Sequence, residues 1–156
     1  MDMALEHEFY LVPHTVDIRH FWMERKNHPS VIDSVVIPDD FILYIIDTLN
    51  WVPSKNPASR ATAPGKGLNY YGVTLFDAES APALKGICTA WRDLFQYAPK
   101  MIELTGDFVM ADGTEQEGHY EKLVFNREEI IHCLDKMIAY SNRLVEGDLY
   151  VYHCGI

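Results

Sequence analysis

Long apolar runs, a basic start and an even set of cysteines are all missing from this chain. The longest apolar run, Phe41–Ile46, falls far short of the roughly 20 residues needed to cross a bilayer. Met1–Glu8 carries Asp2, Glu6 and Glu8 and no base, the reverse of a signal-peptide start. The cysteines are three, Cys88, Cys133 and Cys154, each in an apolar stretch. Together these features lead us to expect a cytoplasmic protein with free, mostly buried thiols. Positive charge is scarce as well. The 13 lysines and arginines face 23 carboxylates, for a net charge of −10, which speaks against attraction to nucleic acid or an anionic membrane.

Motifs that announce chemistry are also lacking. The seven histidines form no HExxH, and the chain has no C-x-x-C and no Cys/His spacing of the zinc type, so no metal is expected. There is no G-x-S-x-G turn for a serine nucleophile. Pro64-Gly65-Lys66-Gly67 lacks the Ser or Thr and the following helix of a phosphate loop. Asp39-Asp40 and Glu128-Glu129 sit at expected helix starts, where the helix dipole accounts for them. We therefore expect no catalytic residues and no cofactor.

Apolar residues at 48% and charged residues at 23% are ordinary for a folded chain, and 156 residues suit one domain. Gly67–Phe76, aromatic and β-branched with no charge, reads as an inner strand buried on both faces. The i, i+3, i+4, i+7 spacing of Leu84, Ile87, Cys88, Trp91, Leu94 and Phe95 predicts a helix over Ala81–Ala98, opened by Pro82 and stopped by Pro99. Met101–Met110 alternates as a half-exposed strand, and His119–Phe125 returns as its partner. Asn126 and Glu129 resemble a capping box for a helix over Arg127–Glu146, which Gly147 ends. Leu149–Cys154 is the last strand.

Residues 67–156 thus read as strand, helix, strand, strand, helix, strand. This is the ferredoxin-like βαββαβ order of an α+β fold, with both helices on one sheet face. Residues 1–51 read as a β/α extension that covers the other face or widens the sheet. Its elements are strands at Glu8–Val12 and Ile32–Ile37, a short helical stretch within Thr15–Lys26, and a helix from Pro38 to Trp51. Residues 52–66 are an exposed loop with Lys55, Arg60 and Lys66 and no acid.

Negative charge is concentrated. Between Glu103 and Glu129 stand eight acids against Lys122 and Arg127. Glu103, Asp107, Asp112, Glu115 and Glu117 are the expected electrostatic surface, with Tyr71 and Tyr120 as aromatic anchors. The sequence points to a non-enzymatic domain that docks a basic protein, most simply an immunity-type inhibitor of a basic toxin. The alternative is an enzyme or sensor whose small-molecule cleft is closed by residues 52–66. A homodimer through an uncovered face or edge strand is a third arrangement.

Overall fold

The structure, a computed structural model, describes residues 5–57, 65–110 and 117–156. The chain runs β1 (Glu6–Pro13), α1 (Phe21–Glu24) with a 3-10 turn at Arg25–Asn27, then β2 (Asp33–Pro38) and α2 (Asp39–Leu49). Two short strands follow, β3 (Pro53–Ser54) and β4 (Gly65–Lys66), then β5 (Val73–Phe76) and α3 (Ala81–Phe95). The hairpin β6 (Met101–Val109) and β7 (His119–Asn126) leads into α4 (Arg127–Leu144) and β8 (Leu149–Cys154). The expected helices and strands are present, with ends shifted by a few residues. Asn126 caps α4 as its spacing implied, its Oδ1 accepting from the Glu128 and Glu129 N–H groups. Gly147 follows the helix at φ +86°, a conformation that favours glycine.

These elements form a single α+β domain around a four-stranded antiparallel sheet of order β2-β1-β8-β5. Period-two alternation divides the two inner strands between two cores. Phe9, Leu11 and Val151 face α2, α3 and α4, in a cluster that includes Phe41, Leu84 and Leu134. Tyr10, Val12 and Tyr152 face the opposite way and are covered by Val16 and Phe21 from the segment after β1. The Tyr152 hydroxyl donates to the Ile18 carbonyl at 2.9 Å, and Arg25 pairs with Glu8 at 3.0 Å, tying that segment down. The N-terminal third therefore both widens the sheet and covers its second face.

The ferredoxin-like order is not the observed one. β6 and β7 pair only with each other, as a separate two-stranded sheet, and β1 occupies the interior beside β8. The residues supply a reason. A ferredoxin-like sheet would place β7 inside, burying Glu121 and Lys122 on its two faces, which costs several kcal/mol without partners. β1 instead offers apolar groups on both faces. Of the expected ferredoxin-like pairings, the antiparallel one between the first and last strands is present, as β5 with β8.

Gly67–Phe76 is likewise shorter and less central than its composition implied. Only Val73–Phe76 is a strand, at the sheet edge, with a single bridge from Lys55 to Leu75 beyond it. Gly67 at φ +90° and the turn that brings the Gly72 N–H to the Asn69 carbonyl at 3.2 Å keep the first half out of the sheet. Both faces of β5 are nonetheless buried, Leu75 in one core and Phe76 in the other.

Candidate functional site

An open groove of about 740 Å³ lies where the starts of α2 and α4 meet the edge strand β2 and the base of β7. Phe125 and Ile130 form its apolar floor together with Val36 and Val124. Glu6, Asp40, Glu128 and Glu129 stand around it, and among the described lining residues there is no lysine or arginine. Three of the four have a local reason to be there. Asp40, Glu128 and Glu129 occupy first helical turns, where the dipole favours a negative charge. Folding brings the two helix starts together, so charges placed for separate reasons add to one field.

The groove continues onto the hairpin. Register pairs Glu103 with Val124 and Thr105 with Lys122, and beyond a bulge at Gly106 and Asp107 it pairs Phe108 with Tyr120. Direct partners share a face, so Met101, Val124, Phe108 and Tyr120 form an outward stripe with Glu103 among them. Phe108 is 54% and Tyr120 61% exposed, and their rings meet edge to face at 5.2 Å. Asp107, shifted by the bulge, joins Asp40 and Glu121 around a second depression of about 210 Å³. Glu117 is exposed just before β7.

The expected surface is thus divided. Glu103, Asp107, Glu117 and Tyr120 belong to the hairpin, and Asp112 and Glu115 lie outside the described residues. Tyr71, 78% exposed, lines a different hollow with Trp22 and Arg25. The groove's own carboxylates were not among the expected site residues. Asp40, Glu128 and Glu129 carry in the sequence only the ordinary mark of a helix start, Glu6 carries no signal at all, and it is their place around one groove that gives them another meaning.

The sequence also did not reveal a buried polar chain. His7 and His153 are 146 residues apart, both fully buried, and joined Nδ1 to Nε2 at 2.9 Å. His7 Nε2 lies 2.8 Å from Asp39 Oδ1, and His153 Nδ1 lies 3.1 Å from Thr74 Oγ1. The Asn69 N–H donates to that same Thr74 oxygen at 2.8 Å. One arrangement gives every one of these polar atoms a partner. Thr74 donates to His153, His153 to His7, and His7 to Asp39. Burial, and then the neighbouring His7, hold the His153 pKa well below its ordinary value. Burial pushes the Tyr70 hydroxyl up, as does its hydrogen bond to Asp39.

Thr74 ends this chain at a depression of about 240 Å³ lined by Lys55, Asn56, Lys66 and Asn69. Lys55 is paired with Asp77 at 2.7 Å. The three cysteines are buried, and burial raises the Cys88 thiol to about 12 and the Cys133 and Cys154 thiols to about 11. Thiols so far from ionising are poor nucleophiles at neutral pH. Among the described residues no group of three His, Cys, Asp or Glu is placed to hold a metal ion, and no helix is long and apolar enough to cross a membrane. No family model matches the chain, and no curated protein or solved structure is significantly similar to it.

Proposed function

We propose that this protein is a non-enzymatic binding domain that docks a basic protein, and that it acts as an immunity-type inhibitor by covering a toxin or other basic effector. One observation carries the reading. A broad groove is bordered by four carboxylates, is floored by apolar side chains, and has no lysine or arginine among its described lining residues. Such a site attracts a cationic surface at long range and gives it apolar area to bury on contact. The hairpin beside it adds Glu103 and the exposed Phe108–Tyr120 pair.

The test is recovery of the protein from its native cell with whatever stays bound, followed by the same experiment with Glu6→Lys, Glu128→Lys and Glu129→Lys combined. The expected result is a basic partner whose association at low salt slows by about tenfold or more in the variant. A neutral or acidic partner, or an unchanged rate, would remove this reading.

A second reading is an enzyme or sensor that holds a small anion. It is favoured by Thr74, backed by two histidines and Asp39, bordering the depression with Lys55 and Lys66. Inorganic phosphate should then raise the thermal midpoint, and Lys66→Glu should abolish that rise. No rise with the native protein counts against it.

A further inference from the structure

Resting on the docking reading, we propose that the groove takes an extended, lysine- or arginine-bearing segment of the partner as an added strand on the outer edge of β2. β2 ends the sheet, and among the described residues no strand lies on its outer side. Flanking bonds set the phase of its ladder. The Asp39 N–H donates to the Leu5 carbonyl on one side of β1 and the His14 N–H to the Asp148 carbonyl on the other, so odd-numbered residues of β1 bond to β2 and even-numbered ones to β8. Val35 and Ile37 therefore turn inward, and Val36 turns its N–H and C=O away from β1. The Cys133 thiol, reaching the Val36 carbonyl at 3.5 Å from α4, agrees with that direction.

The ends of this edge are closed, while at its middle the Val36 carbonyl meets only the weak Cys133 thiol donor, which a backbone N–H would displace. At one end the Asp33 carboxylate takes the Ser34 N–H and is itself held by Lys136 at 2.7 Å and Tyr140 at 2.9 Å. At the other end Pro38 has no N–H to offer. Val36, 45% exposed, lies between them and lines the groove. A segment laid there exchanges both backbone bonds with Val36 and places one side chain over Ile130 and Phe125. Its neighbouring side chains reach Glu6, Asp40, Glu128 and Glu129. Alternation of base and apolar residue in the partner follows from the strand period.

The charge pattern also selects the occupant. A second copy of this chain would bring the same carboxylates face to face, on a molecule of net charge −10. A basic partner meets no such repulsion.

The test uses the native full chain and a short synthetic peptide of alternating lysine and valine. A second peptide is N-methylated on alternate amides, in each of the two phases. One methylated phase is expected to bind about tenfold more weakly, because it loses the bonds to Val36, while the other binds as the parent does. Exchange of the Val36 amide hydrogen should slow when the parent peptide is added. Equal binding by all three peptides, with the Glu128→Lys and Glu129→Lys protein losing them all, overturns strand addition and leaves acidic docking standing. Failure of the parent peptide to bind at low salt removes both. A solution mass twice that of the chain at low salt would put a second copy on this edge and overturn the choice of occupant.

Discussion

His153 shows how much one side chain can depend on its position. Fully buried, with a pKa held well below the ordinary 6.5, it stays neutral where the unfolded chain would bind a proton. Its contribution is therefore complete above about pH 6.5 and is lost as the pH falls from there toward its depressed value. The Glu8 and Asp33 carboxyls are also lowered, despite burial that works the other way, by Tyr10 and Arg25 in one case and Lys136 and Tyr140 in the other. Their contributions are lost only below the ordinary carboxylate range, so the window from about pH 6.5 to 5 isolates His153 from them. Thermal midpoints measured across that window should fall for the native protein and fall less for His153→Gln. The same variant should lose about 1–3 kcal/mol at pH 7, where it breaks a buried hydrogen-bonded chain. Gly155 offers a second test. A Cβ there would sit 2.1 Å from the Tyr70 carbonyl oxygen, so Gly155→Ala should destabilise by about 1–3 kcal/mol in denaturant titration.

At the scale of elements, α4 and the hairpin separate stability from binding. Asn126 accepts from two N–H groups at the start of α4, so Asn126→Ala should cost about 1 kcal/mol by denaturant titration. The outward hairpin face should behave in the opposite way. Phe108→Ser with Tyr120→Ser removes an exposed pair, so the loss of stability should stay within about 1.5 kcal/mol. If the docking proposal holds, partner affinity in that variant should drop about tenfold or more by calorimetry. Helix existence was legible because apolar spacing and caps are local properties. Leu84, Cys88 and Phe95 lie on the predicted face of α3 and are buried there. Strand placement was not legible. The same alternation in Met101–Val109 suits a sheet interior, a sheet edge or a free-standing hairpin, and only competition with β1 decides which.

For the whole molecule the governing quantity is charge. With a net charge of −10, attraction to a cationic protein should weaken steeply as salt rises from about 10 mM to beyond physiological strength, because screening shortens its range. Stopped-flow association rates over that range should show the fall in the native protein and a shallower one after the Glu6, Glu128 and Glu129 reversal.

The sequence by itself determined the α+β composition, the starts of the long helices, the buried thiols and the excess of acid. Each follows from spacing, capping chemistry or counting over a short stretch. The tertiary structure decided which strand lies inside, since that depends on which strand can bury both faces without stranding a charge. It also decided where the acids converge. Glu6, Asp40, Glu128 and Glu129 are scattered along the chain and each is ordinary where it stands. They become one groove only because the starts of α2 and α4 border the same hollow beside β2, a consequence of tertiary structure that no local pattern encodes.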